Sequence, residues 1–251
     1  MGLPARVAEA AQGSAVYAVD RDAARRLLAD LDLPFEPTAT ATGDAILVLF
    51  VVDYRRGDLG AYFELGAAIM ARPTGDPLAP PGMAVFALPV SEAFSRDCGR
   101  AIWGYPKVLA PELAIERGDG AVDCCLAAAP DALRLRLSRR GFGASHDVPL
   151  TTYTVREGRP TRTIFSRSGR SERLRAGGAV ALHLGAASDG RCDCAIASAE
   201  GSTGCLCLRL RALGLPKPPI ASGWTETMRG AFGAPQTLAA PDDQSSPKTS
   251  A

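Results

Sequence analysis

The chain has 251 residues, 28 of them basic and 27 acidic, for a formal net charge of +1. That balance excludes a general nucleic-acid binder, which needs a basic surplus to neutralise phosphates. A composition of 47% hydrophobic and 22% charged residues excludes low-complexity disorder over most of the length and allows a sizeable core. No run reaches the roughly 18 apolar residues of a membrane helix; the longest, Ala45 to Val52, is strand-sized.

The opening MGLPARVAEAAQ lacks the apolar region of a secretory signal, and Arg6 stands where a myristoylation signal requires Ser or Thr, so a soluble, cytoplasmic protein is expected. Ala15 to Asp20 reads as a short strand. Asp22 to Leu31 reads as a helix with Ala24, Leu27, Leu28 and Leu31 on one face. Pro34 and Pro37 end it. Ala45 to Tyr54 is a β-branched apolar run, hence a buried strand, and Asp53 to Gly57 carries turn and loop residues. Gly60 to Ala71 is the return strand of a hairpin. Pro73 to Gly82 is a loop and Met83 to Val90 another strand. Ser91 has the chemistry of an N-cap for a helix over Glu92 to Trp103, with Phe94, Cys98, Ala101 and Ile102 as its buried stripe. Gly104 ends that helix, and Tyr105-Pro106-Lys107 follows as a rigid turn.

The remainder reads as mostly β. Glu112 to Ala127 forms two strands around Gly118-Asp119-Gly120. Ala132 to Leu137 alternates Leu with Arg, so the basic run Arg134 to Arg140 is the solvated face of a strand. Thr151 to Phe165 alternates around Glu157-Gly158. Ala179 to Leu184, Arg191 to Ala197 and Cys205 to Leu210 are read as further strands. Many short strands and few helices give an α+β class with β dominant, an antiparallel sheet curled into a barrel or sandwich. One domain over 1–240 and a disordered polar tail over 241–251 are expected.

The seven cysteines include two C-x-C pairs, Cys192/Cys194 and Cys205/Cys207. In strands, residues i and i+2 share a face, whereas zinc ligands usually flank a turn, so these read as buried thiols and no metal is expected. His146 is expected in an exposed loop and His183 as a core residue of a strand. No G-x-G-x-x-G, P-loop or Gly-x-Ser-x-Gly pattern occurs, and no cofactor is implied.

Two residues carry the chemistry. Lys107 is flanked by Trp103, Tyr105, Pro106, Val108 and Leu109. A lysine in such a setting either snorkels to water or does chemistry. A nucleophilic amine must be neutral, whereas a free lysine has a pKa of about 10.4, and an apolar site is one means of disfavouring the ammonium. Glu64 lies in a strand of Tyr62, Phe63, Leu65 and Ala67. It is either on an outward face or a buried, proton-handling carboxylate. Arg100 is either an anchor for a substrate carboxylate or a structural support.

The segment GRAIWGYPKVLA, Gly99 to Ala110, resembles the G-R-E-x-x-G-[FY]-P-K-K motif of the acetoacetate decarboxylase family. LGAYFELG, Leu59 to Gly66, resembles the family's L-G-x-Y-x-E stretch, and VYAVDRDAARRLL, Val16 to Leu28, its opening strand and helix. The resemblance covers about Ala15 to Ala110, with a family-like end near Leu213 to Leu238. It implies Lys107 as the Schiff-base lysine and Glu64 as an active-site glutamate. It also implies a curled antiparallel barrel with flanking helices, and a homo-oligomer. On this reading Tyr62, Trp103 and Tyr105 wall a pocket for a small keto-acid substrate.

The sequence departs from the family at four places. Val108 replaces a second lysine and Ala101 a glutamate. Val51 stands where a second active-site glutamate is expected, and an arginine expected near Ala10 has only Arg6 as a candidate. The expected chemistry is a Schiff-base lyase of the decarboxylase kind. An aldolase or dehydratase using pyruvate and an aldehyde is the alternative, as is a barrel that binds a small ligand without catalysis.

Overall fold

The computed structural model describes residues 2–126, 133–175, 180–185, 187–188, 191–192 and 205–238. The first half comprises β1 (Ala5–Val19), α1 (Arg21–Asp30), β2 (Phe35–Pro37), β3 (Ala45–Gly57), β4 (Tyr62–Pro73), β5 (Gly82–Val90), α2 (Ala93–Trp103) and β6 (Lys107–Leu109). Then come β7 (Ala114–Arg117), β8 (Ala121–Leu126), β9 (Leu133–Ser138), β10 (Phe142–His146), β11 (Leu150–Arg156) and β12 (Arg159–Arg175). The last elements are β13 (Ala181–Leu184), β14 (Ala187–Ser188), β15 (Arg191–Cys192), α3 (Leu206–Ala212), β16 (Ala221–Phe232) and β17 (Gln236–Thr237).

Seven strands close into a barrel in the order β4-β3-β1-β16-β12-β11-β5, because β5 also pairs back to β4. The β-dominant class and the curled, closing sheet agree with the sequence reading. The barrel is mixed, however, since β5 runs parallel to β11, and the added strand β6 runs parallel to β5. A four-stranded sheet, β13-β9-β8-β7, lies outside the barrel. Among the described residues, no helix is long and apolar enough to cross a membrane.

Strand β3 shows why its sequence is apolar on both faces. Phe50, Val52 and Tyr54 belong to an inner cluster inside the barrel, while Leu47, Leu49 and Val51 belong to an outer one. The outer cluster also takes Ala24, Leu27 and Leu28 of α1 and Leu133, Leu135 and Leu137 of β9. The exposed Arg134 and Arg136 alternate with those leucines, as expected of a strand with one wet face. Helix α1 starts on Asp20, whose side chain accepts from the Ala23 N–H at 2.7 Å.

Several local expectations give way to tertiary pairing. Strand β1 begins at Ala5, ten residues before the β-branched signal, because β3 and β16 pair with it on either side. The turn chemistry of Asp53 to Gly57 is overridden likewise: β3 continues through it, paired to β1. Ser91 does not cap α2. Its Oγ accepts from the Phe63 N–H at 2.8 Å and so extends the β4–β5 pairing, leaving Glu92 at the N-cap position without a side-chain bond. Helix α2 buries Ser95, Gly99 and Trp103, rotated from the expected stripe; Phe94 and Ala101 are exposed, and Cys98 and Ile102 are partly buried.

Cys205 to Leu210 is not a strand. Leu206, Leu210 and Leu213 recur at i, i+4 and i+7 and are buried, so α3 forms where the Leu/Arg alternation imitates period two. Cys205 and Cys207 are buried thiols, as expected, but at the start of a helix. His146 belongs to β10 rather than a loop, and His183 is exposed on β13 rather than in the core. Strand β16, which the sequence reading leaves unassigned, completes the barrel between β1 and β12. The expected disordered tail over 241–251 and most of the strand expected over Arg191 to Ala197 lie outside the described residues.

Candidate active site

The antiparallel register of β3 and β4 sets Val52 opposite Glu64 and Tyr54 opposite Tyr62, so these four side chains share the inner face of the barrel. Helix α2 ends at Gly104, which takes the left-handed conformation (φ 67°). The chain then crosses through Tyr105 and Pro106, and Lys107 enters β6 beside Leu88 of β5. Three bonds hold this crossing. Trp103 Nε1 donates to the Gly233 carbonyl at 2.9 Å, Thr154 Oγ1 to the Trp103 carbonyl at 2.7 Å, and Arg100 Nε to the Lys107 carbonyl at 2.6 Å.

Lys107 and Glu64 are 3% and 5% exposed, and Nζ lies 2.9 Å from Glu64 Oε2. Lys107 Nζ also donates to Tyr62 Oη at 3.3 Å and stands 4.8 Å from the centre of the Tyr62 ring. Tyr54 Oη donates to Glu64 Oε1 at 3.3 Å, and the Tyr54 and Tyr62 rings stack with centroids 4.4 Å apart. Burial, and then the Glu64 carboxylate, push both phenols well above their ordinary value. Tyr105 is raised by burial too, partly offset by its hydrogen bond with Thr152. The three phenols therefore stay protonated.

The stem of Lys107 rests on Gly99. A Cβ at position 99 would stand 2.5 Å from Lys107 Cδ and 2.8 Å from Cε, so glycine gives the lysine its path along α2. A buried ion pair of this kind is poorly explained by stability, since apolar replacement of such pairs is often neutral or stabilising by about 1–4 kcal/mol.

These groups line a cavity of about 50 Å³. That is several times the ~10–15 Å³ one water needs, and it matches a ligand of a few heavy atoms. Its remaining walls are mainly apolar, from Phe50, Val52 and Leu59 on one side to Phe165, Met228 and Phe232 on the other. Among the described lining residues Lys107 is the only cation and Glu64 the only carboxylate.

Of the six residues expected at the site, Lys107, Glu64, Tyr62, Trp103 and Tyr105 all line this cavity. Arg100 does not: it is exposed and reaches only the backbone of Lys107. Val51 faces the outer cluster, and its inward neighbours Phe50 and Val52 are apolar. Arg6 lines a smaller adjoining cleft that shares Tyr54, Leu59, Tyr62 and Phe232 with the cavity. The sequence reading missed Gln12, Tyr54 and Thr152, which the cavity brings together from β1, β3 and β11. Tyr54 had a signal, as the polar end of the alternation Phe50, Val52, Tyr54; Gln12 and Thr152 had none.

A closed β-barrel holding a buried lysine against one carboxylate in an apolar cavity defines the class. Residues 5–142 match the family model of acetoacetate decarboxylase (ADC), and the chain belongs to that family. The fold is also that of solved acetoacetate decarboxylases. One aligns with TM-score 0.66 at 12% identity, over 95% of this chain and 90% of its own. That of Legionella pneumophila subsp. pneumophila aligns with TM-score 0.62 at 14% identity, over 94% and 87%. The enduracididine biosynthesis enzyme MppR, complexed with the condensation product of pyruvate and imidazole 4-carboxaldehyde, aligns with TM-score 0.56 at 17% identity, over 95% and 91%. No curated protein matches the chain in sequence.

Proposed function

We propose that the protein is a lyase that forms a Schiff base between Lys107 and the oxo group of a small keto acid. The observation that carries this reading is the buried Lys107 Nζ, 2.9 Å from Glu64 Oε2 in a small apolar cavity. Glu64 is within reach to take a proton from Nζ and release the amine for attack on the carbonyl carbon. The carbinolamine then loses its oxygen as water, protonated by Glu64, and leaves an iminium that draws electrons from the adjacent bond. Tyr54, bonded to the other carboxylate oxygen, fixes which oxygen faces the lysine.

The bond cleaved is the one to a carboxylate. A carboxylate carried among these walls loses its hydration and, among the described lining residues, meets no arginine; its departure as CO₂ passes the bonding electrons to the iminium and neutralises both charges. The electrons pass to the enamine, whose carbon takes a proton from Glu64 once that carboxylate has drawn one from water. A second reading, aldol addition or dehydration, rests on the likeness to MppR and its condensation product. In that course Glu64 removes a proton from the carbon beside the iminium, and the enamine adds to an aldehyde.

The test is borohydride reduction of the pure protein with acetoacetate and, separately, pyruvate, followed by intact mass. A reduced adduct in the native protein and none in Lys107→Ala is the expected outcome. CO₂ release from acetoacetate separates the first course from the second, which consumes pyruvate only with an aldehyde. No adduct with either acid at millimolar concentration overturns the keto-acid reading and leaves a barrel that binds without covalent chemistry.

A further inference from the structure

A second cavity, of about 210 Å³, is lined by strands β1, β12 and β16. Gln12 is the one residue common to its lining and to that of the Lys107 cavity. Its other polar walls are Arg167 and Arg173 from β12, Ser14 from β1 and the mutually bonded hydroxyls of Ser171 and Thr225. Among the described residues, no acidic side chain lines it.

Arg167 is the unusual member. Its Nη1 donates to Gln12 Oε1 at 3.0 Å, while its Nε is buried and, among the described residues, meets no hydrogen-bond acceptor. Burial, and then the neighbouring charge of Arg173, depress its pKa. A guanidinium has five donors in a planar fork, and a buried donor left unpaired is costly. Two arginines facing one cavity without a carboxylate repel each other; a bound anion would relieve both the repulsion and the missing acceptor.

We propose that this cavity is a binding site for a small oxyanion, a carboxylate or a phosphate, held by Arg167 and Arg173 with the hydroxyl of Ser14. The site is separate from the Lys107 chemistry and adjoins it only through Gln12. An anion on Arg167 competes with Gln12 for the guanidinium, so its occupancy bears on one wall of the reaction cavity.

The test is isothermal titration of the full chain with inorganic phosphate and, separately, acetate, at ionic strength held constant with sodium chloride. Saturable binding of at least one anion is expected, weakened by about tenfold or more in Arg167→Gln and in Arg173→Gln, because each removes charge-assisted bonds. Arg173 is exposed, so its variant keeps the test meaningful if Arg167→Gln fails to fold. Lys107→Ala should bind as the native chain does, which keeps this site distinct from the Schiff-base reading. Phosphate binding with acetate silent identifies a phosphate site; binding of acetate identifies a carboxylate site. No saturable binding of either anion overturns the proposal, as does binding lost in Lys107→Ala but retained in both arginine variants.

Discussion

At one end of the barrel interior a single lysine meets a single glutamate among apolar walls; at the other, two arginines face hydroxyls with no acid among the described lining residues. Strands β1, β12 and β16 line both cavities, so one alternation of side chains provides two environments. At the first end the charges are paired and buried, and burial strengthens their interaction. At the second, Arg167 is only partly buried and is satisfied at one nitrogen by an amide. Strands β1, β12 and β16 thus carry walls of both cavities, while Glu64 on β4 and Lys107 on β6 belong to the first alone.

The largest expected effect that separates the two ends is alkaline unfolding. All five tyrosines are raised by burial, Tyr17 to about 12, and Tyr54, Tyr62 and Tyr105 line the first cavity while none lines the second. A phenol is neutral when protonated, and its unfolded pKa is about 10. Folded values above that give stability that is full below about pH 10 and lost as pH rises through the folded values. Tyrosinate absorbance should therefore stay flat past its ordinary range and then rise together with the loss of tertiary circular dichroism. A smooth titration near pH 10 in the folded state would place the phenols in contact with water.

Breaking the buried pair comes next. Lys107→Met leaves Glu64 buried without its cation and should cost about 3–5 kcal/mol, with most of it restored by adding Glu64→Leu. Arg167→Met should stay within about 1 kcal/mol of the native chain, because one hydrogen bond of about that worth is lost together with a poorly partnered charge. Urea unfolding measures all three. Equal losses for Lys107→Met and Arg167→Met would erase the contrast between the two ends.

Gly99→Ala sharpens the comparison without touching charge. The added methyl would stand 2.5 Å from Lys107 Cδ, so the lysine must shift and borohydride trapping should slow by roughly 100-fold, the cost of a misplacement of about 1 Å. The anion titration should be unaffected. The smallest effect is that of Arg100→Ala. It removes one charge-assisted bond to the Lys107 carbonyl at an exposed position, worth about 1 kcal/mol, so trapping should slow by roughly fivefold. A complete loss would show that Arg100 reaches the substrate itself.

The sequence by itself determined what local pattern can encode. The apolar run of β3, the hairpin partner β4, the glycine stop of α2 and the Tyr105-Pro106-Lys107 segment were all legible from neighbours in the chain. So were Lys107 and Glu64, because a charged residue in an apolar run stands out and the two motifs resemble one family. Only the tertiary structure decided the rest. The true start of β1, the continuation of β3 to Gly57 and the whole of β16 depend on partners far away in sequence, since a strand gains its hydrogen bonds from its neighbours and not from itself. The face of α2 turned on a contact no periodicity contains, the lysine stem lying on Gly99. Gln12, Tyr54 and Thr152 join the cavity, and Arg100 and Val51 stay out of it, because closing the barrel fixes which side of each strand faces inward. Alternation alone offers both faces, and only the partner strands choose between them.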